Sequence, residues 1–165
     1  MDSKVLDKIY GMYHRELYLY IYSLCRNREA TEDLLQETFL KALLSLPSAH
    51  TNVRAWLYMV ARNLYLNYAK KEKSKVALEE AKELPSSDVD LAEQIIVKES
   101  NRILYRALQA LSASKREILV LQYFGGLSQK EIAAVMHISP ENVRVLGYRA
   151  KKELKKHMEA NGYDI

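Results

Sequence analysis

The sequence predicts an all-α protein: two small helical domains joined by a flexible acidic linker, the C-terminal one containing a helix-turn-helix. Three observations carry this. Five glycines and three prolines in 165 residues are about 5% of the chain, against roughly 12% in average usage, too few for a turn-rich sheet. Apolar residues recur at threes and fours through both halves, the period of a helix with one buried face. The charge also reverses abruptly along the chain. Over residues 62–75, Arg62, Lys70, Lys71, Lys73 and Lys75 stand against Glu72; over 76–93, Glu79, Glu80, Glu83, Asp88, Asp90 and Glu93 stand against Lys82. That reversal divides the chain into an N-terminal domain at 1–75, a linker at 76–91 and a C-terminal domain at 92–165.

The first helix is expected over residues 4–26, where Leu6, Ile9, Tyr10, Tyr13, Leu17, Tyr20, Ile21 and Leu24 form one stripe. A second runs from about Ala30 to Leu46 with Leu34, Leu35, Phe39, Leu43 and Leu46 inward, capped by Asn27 or Thr31 and stopped by Pro47. After a polar loop, Pro47 to Asn52, a third helix is expected to turn Val53, Trp56, Leu57, Val60 and Leu64 inward. The segment Leu84-Pro-Ser-Ser-Asp88 has turn chemistry and little apolar content, as a flexible linker does.

Helix start signals crowd the second half. A helix from about Asp90 to Leu111 places Ile103, Leu104, Ala107, Leu108 and Leu111 on one side. Ser114-Lys-Arg-Glu117 has the form of a capping box ahead of Ile118, Leu119 and Leu121. Gly125-Gly126 supplies a left-handed stop. A second box follows at Ser128-Gln-Lys-Glu131, then Ser139-Pro140-Glu141, an N-cap, a first-position proline and an acid at the positive end of the helix dipole. Ile132, Ala133 and Met136 face inward from one short helix, His137-Ile138-Ser139 forms the turn, and Val143, Leu146 and Ala150 face inward from the next. This is helix-turn-helix spacing, with Ala133 as the small residue at the crossing. The opposite side of the last helix presents Glu141, Asn142, Arg144, Val145, Tyr148, Arg149, Lys151 and Lys152, a row suited to a DNA major groove.

Several classes are excluded. The longest apolar run, Ala55 to Ala61, is far short of the roughly 20 residues that cross a bilayer, so no membrane insertion is expected. The start Met-Asp-Ser-Lys lacks a secretory leader, and the lone Cys25, set among Ile21 and Leu24, forms no internal disulfide and is expected to pack; both suit the cytoplasm. No nucleophile or phosphate-loop motif is present, and the four histidines at 14, 50, 137 and 157 share no metal-ligand spacing, so neither an enzyme nor a cofactor is expected.

Three segments in order, Thr31-Glu-Asp-Leu-Leu-Gln-Glu-Thr-Phe-Leu-Lys-Ala-Leu43, Arg54-Ala-Trp-Leu-Tyr-Met-Val-Ala-Arg-Asn63 and Leu127-Ser-Gln-Lys-Glu-Ile-Ala-Ala-Val-Met136, resemble the extracytoplasmic-function sigma factors of bacterial RNA polymerase. The resemblance implies a subunit that directs core polymerase to promoters and is held in check by an anti-sigma factor. It assigns Glu32, Asp33, Gln36, Glu37 and Lys41 to docking on the clamp helices of the large polymerase subunits, whose flap is a further contact. Positions 33, 36, 37 and 41 lie on adjacent turns of one helix face. By the same resemblance Trp56 is a core residue, and the acidic linker threads toward the RNA exit path of the polymerase.

Minus-ten recognition then falls on the loop, which offers Ser48, His50, Thr51 and Asn52, and on the outward side of the third helix. Tyr58, Arg62, Tyr65 and Ala69 form one row there; Asn63, Asn67, Lys70 and Lys71 form another. Rings, amides and cations together suit single-stranded DNA. For the minus-thirty-five element the base-edge candidates are Glu141, Asn142, Arg144 and Val145, with Ser139 at the helix start and Tyr148, Arg149 and Lys152 on phosphate. His137, Leu146 and Gly147 depart from the usual family pattern, and Gly147 is expected to loosen the recognition helix or bring it closer to DNA. The alternative is a stand-alone helix-turn-helix repressor or activator that binds duplex DNA unaided.

Overall fold

The computed structural model describes residues 3–46, 52–76 and 99–162, and backbone contacts divide the chain into two compact units, 1–91 and 92–165. The described residues form seven helices and no strand. The expected linker, apart from Val76, lies outside them, as do Ser48, His50 and Thr51 of the loop.

The first unit packs α1 (Ser3–Cys25), α2 (Arg28–Ser45) and α3 (Val53–Val76) each against the other two. Between α1 and α2, Arg26 takes a left-handed φ of 54° and Asn27 caps α2 by accepting a hydrogen bond from the Ala30 amide at 2.9 Å. Of the two expected caps Asn27 is the one used, because Thr31 is buried and donates its hydroxyl to the Asn27 carbonyl at 2.7 Å. Cys25 is half-buried with Sγ 3.1 Å from Thr31 Oγ1, and burial pushes its thiol up, so it packs, as expected. Leu34, Leu35 and Phe39 of α2 and the C-cap Leu46 are buried, while Leu43, expected inward with them, is half-buried.

The inward stripe of α3 differs from the expected one. Leu57, Tyr58, Ala61 and Leu64 are buried, whereas Val53, Trp56 and Val60 are only half-buried. The helix is rotated because it must serve α1 and α2 together, and Tyr58 fits its ring against Tyr20 at 5.1 Å between centroids. The core assignment of Trp56 is corrected accordingly.

The second unit holds α4 (Glu99–Leu108), α5 (Ala113–Tyr123), α6 (Gln129–Met136) and α7 (Pro140–Ala160), with α7 touching the other three. Residues 90–98 of the long helix expected from Asp90 lie outside the described residues. The described part ends at Leu108, where the amides of Gln109, Ala110 and Leu111 bond back three residues and tighten into a turn. The capping box expected at Ser114 is absent. Ser112 is the N-cap of α5, without a side-chain bond, and Glu117 is buried in the helix interior at 5% exposure. The helix thus starts two residues earlier than a box on Ser114 would place it, and Ile118, Leu119, Val120 and Leu121 all lie in the core. Gly126 then turns with a φ of 65°, and the Leu127 amide bonds the Leu121 carbonyl at 3.1 Å. No helix among the described residues is long and apolar enough to cross a membrane.

Candidate nucleic-acid interface and docking surface

The helix-turn-helix is built by its caps. Ser128 accepts from the Glu131 amide at 3.1 Å while Glu131 accepts from the Ser128 amide at 2.8 Å, the reciprocal box expected there. His137 ends α6 with a left-handed φ of 57°, and Ser139 opens α7 by accepting from the Asn142 amide at 3.1 Å, with Pro140 at the first turn. Gln129 donates to the Pro140 carbonyl at 2.9 Å and ties the two helix starts together. Ile132, Ala133, Met136, Val143 and Ala150 are buried, as the spacing requires.

Two positions of α7 are exchanged relative to expectation. Leu146 is only half-buried and Gly147 is buried, its missing Cβ pointing at Ile118 Cγ2, 3.7 Å from where that atom would sit. Gly147 therefore bears on the packing of α7 against α5 and not on its approach to DNA. The outer row stands as expected: Glu141, Asn142, Arg144, Tyr148, Arg149, Lys151 and Lys152 are exposed and Val145 is half-buried. Within that row the Arg144 guanidinium holds Glu141 at 2.6 Å, one turn apart. An exposed pair of this kind is worth little, about 0 to 1 kcal/mol, so Arg144 is oriented at the start of the helix and yet readily released to another acceptor.

In the first unit the acidic row of α2 faces outward: Glu32, Asp33, Gln36, Glu37 and Lys41 are all exposed. Glu32 is partly neutralised by Arg28 at 3.2 Å. The same face carries two exposed leucines missed by the sequence reading, Leu40 at 54% and Leu44 at 75%; their signal was the spacing of four from Gln36 and from each other. On α3, Asn63, Asn67, Lys70 and Lys71 are exposed and Arg62, Tyr65 and Ala69 half-buried. A cleft of about 380 Å³ has Asp33, Glu37 and Lys41 on its α2 wall and Asn67, Tyr68 and Lys71 on its α3 wall. Part of the row expected to dock thus lies beside part of the row expected to meet DNA.

Tyr58 does not belong to the exposed row. It is 1% exposed, and its hydroxyl donates to Glu16 Oε1 at 3.2 Å. Asn52, expected to offer its side chain to a base, accepts from the Ala55 amide at 3.2 Å and caps α3. Glu16 was also missed. It holds Arg54 Nε at 3.1 Å, and Arg54 lies over the Tyr13 ring, 5.4 Å from its centroid. Its signal was an acid set inside an apolar stripe, three residues after Tyr13 and four before Tyr20. Burial raises the Glu16 carboxyl above its ordinary range despite Arg54, and Tyr58 is pushed well above the usual phenol range by burial and by Glu16. Among the described residues no group of histidine, cysteine and acid side chains is placed to hold a metal ion.

Comparison with known proteins matches these units in the same order. Residues 9–75 match the family described as Sigma-70 region 2, and residues 101–154 match Sigma-70, region 4. The chain is 33% identical over 154 residues to the ECF RNA polymerase sigma factor SigM of Bacillus subtilis, covering 91% of this chain and 93% of the relative. It is 30% identical over 158 residues to the RNA polymerase sigma factor YlaC of the same organism, covering 93% and 91%. The fold is similar to that of the sigma factor RpoE solved with the anti-sigma factor NepR from Bartonella quintana, with a TM-score of 0.75 at 21% identity over 94% of this chain and 98% of that one. CnrH, solved with the cytosolic domain of CnrY, gives a TM-score of 0.62 at 20% identity over 98% and 92%. These matches, spanning both units and both motif sets, leave the stand-alone repressor behind: the chain belongs to the extracytoplasmic-function sigma factors of the sigma-70 family.

Proposed function

We propose a division of labour within this sigma factor, which joins core RNA polymerase and directs promoter-specific initiation under the control of an anti-sigma factor. The first unit serves both core docking and the minus-ten element. The α2 face of Asp33, Gln36, Glu37 and Lys41, with Glu32 at its edge, docks on the polymerase clamp helices. Asn63, Asn67, Lys70 and Lys71, with Arg62 and Tyr65, engage the single strand of the minus-ten element, and the loop at 47–52 receives a flipped base. The second unit lays α7 in the major groove of the minus-thirty-five element. Asn142, Arg144 and Val145 read base edges there, while Tyr148, Arg149 and Lys152 hold phosphate. The chain acts in the cytoplasm, where the polymerase is, and carries no catalytic group of its own.

Physically this is catalysis of opening by binding. Unstacking a base costs a few kcal/mol, and each base stacked on a protein surface returns about 1 to 3 kcal/mol, so capture of the exposed strand shifts duplex toward bubble. Neither unit needs high affinity alone. When polymerase holds both at the correct separation, the second contact becomes intramolecular and the two affinities multiply through effective concentration. The observation that carries the proposal is the cleft lined by Asp33, Glu37 and Lys41 from one helix and Asn67 and Lys71 from the next: a polymerase-facing row and a DNA-facing row share one small body.

Replacing Asp33 and Glu37 together by Lys tests it. Both are exposed, so the fold should survive, as circular dichroism will show, while co-purification with core polymerase is lost. Undiminished co-purification would remove this face from the interface.

A further inference from the structure

The start of α3 is fixed in a way that core packing does not require. Glu16 on α1 holds two groups of α3 that lie one turn apart: Arg54 Nε at 3.1 Å and the Tyr58 hydroxyl at 3.2 Å, both on Oε1. Arg54 is held on its other side by the Tyr13 ring, 5.4 Å from its centroid. Tyr58 is wedged against Tyr20. The Glu16 side chain is only 19% exposed, and placing a carboxylate there carries a desolvation cost that its Coulombic attraction to a single arginine does not reliably offset. Well-packed apolar side chains would join the helices at least as firmly. What the acid supplies instead is direction, because a hydrogen bond from Tyr58 and an ion pair with Arg54 meet on one oxygen and tie the first two turns of α3 to one point of α1.

Those turns open the helix that carries Arg62, Asn63, Tyr65 and Asn67, the side chains proposed to engage the single strand. Asn52 caps α3 through the Ala55 amide, two residues before Arg54. Arg54 is 41% exposed along its side chain, and its charge is matched by Glu16.

We infer that Glu16 is a positioning residue for promoter opening: through Arg54 and Tyr58 it sets the rotation and axial position of the strand-binding helix α3, without itself touching DNA or polymerase. The inference rests on the minus-ten role proposed above for this helix. A group that must meet an extruded base tolerates little misplacement, and an error of about 1 Å costs up to about a hundredfold where geometry is decisive.

The test uses the full chain with core polymerase on a promoter that the parent chain selects from genomic fragments by transcription in vitro. Opening is read as permanganate reactivity of minus-ten thymines, binding to core by co-purification, and folding by thermal denaturation. Glu16→Ala should bind core within about twofold of the parent yet open the duplex promoter about tenfold less. On the same promoter with the minus-ten region already unpaired by mismatches, transcription should recover to near the parent level. Glu16→Gln retains size and an acceptor for Tyr58 while losing the charge on Arg54. It should fall between the parent and Glu16→Ala, which keeps the question open to decision if the alanine variant folds poorly. Tyr58→Phe, lacking only the hydroxyl, should show a smaller loss of the same kind. Parent-level opening by both Glu16 variants would overturn the inference. So would equal loss on duplex and unpaired templates, which marks general damage instead of misplacement. If the parent chain itself opens no promoter when core is supplied, it is the minus-ten proposal that fails.

Discussion

The two units bury their interiors with different chemistry, and this decides how separable structure and function are in each. In the second unit the fully buried side chains are aliphatic: Leu108, Ile118, Leu119, Val120, Leu121 and Ile132. In the first, Tyr20, Tyr22 and Tyr58 are among the largest, with Leu17, Ile21 and Leu57 beside them. Among the described residues Tyr105 and Glu117 are the polar exceptions in this core; its aliphatic side chains have no polar atom to satisfy, so the outer row of α7 can change without disturbing them. A buried phenol carries a hydroxyl that needs a partner, and in Tyr58 that partner is an acid on another helix. Changes to the first unit therefore alter packing and recognition together, whereas in the second each can be altered alone.

The largest expected effect that sharpens this contrast is on reading. Arg144→Ala should weaken discrimination of the minus-thirty-five element by about 1 to 3 kcal/mol and leave thermal stability nearly unchanged, because the side chain is exposed and pairs with Glu141, which is exposed too. Transcription across a set of promoters mutated at single upstream positions provides the measurement. A uniform loss on every promoter would make Arg144 a phosphate contact; an unaltered profile would remove it from the reading set.

The converse change touches stability alone. Gly147→Ala should stabilise the protein by up to about 1 kcal/mol, the difference in helix propensity between the two residues. The added methyl meets Ile118 at 3.7 Å, an ordinary contact. A higher urea midpoint with an unchanged slope and unchanged promoter preference is the expected outcome. A lower midpoint, or altered preference, would mean that packing and reading are coupled in this unit after all.

These contrasts also explain what the sequence made legible. Caps and helix stops are local chemistry, so Asn27, Ser128 with Glu131, His137 and Ser139 with Pro140 were readable, and with them the turn of the helix-turn-helix. The box expected at Ser114 fitted the same local rule, but the helix starts at Ala113, and Glu117 is buried with Ile118 to Leu121. Tyrosine defeated the pattern more thoroughly. Its ring belongs equally to a core and a surface, so nothing in the period distinguishes Tyr58, at 1% exposure, from Tyr148, at 68%. Nor does a one-dimensional stripe reveal that α3 serves two neighbours, which is why Trp56 and Val60 were expected deeper than they lie. The outward rows of α2 and α7 were legible because charge at helical spacing is outward by default. Glu16 was not, since its partners stand about forty residues away.

The smallest predicted effect tests the contrast through protons. Burial outweighs Arg54 and raises the Glu16 carboxyl in the first unit, while the Lys115 ammonium, 2.7 Å away, lowers the Glu153 carboxyl in the second. The two therefore respond to acid with opposite sign. A raised acid binds its proton more readily in the folded chain, so the Glu16 contribution to stability declines as pH rises through the window between its ordinary and raised values. A lowered acid binds it less readily, so the Glu153 contribution is present above the ordinary carboxylate range and is lost as pH falls through the lowered value. Glu153 lies at the surface, where solvent screens the pair, so its slope should be shallow. Urea midpoints from about pH 3 to 7, the interval that spans carboxylate titration, give the measurement. Relative to the parent, Glu16→Gln should gain ground as pH rises and Glu153→Gln should lose it. Parallel slopes for the two variants would show that the tyrosine-lined acid is no more shielded from water than the surface one, and the distinction between the interiors would not extend to their ionisable groups.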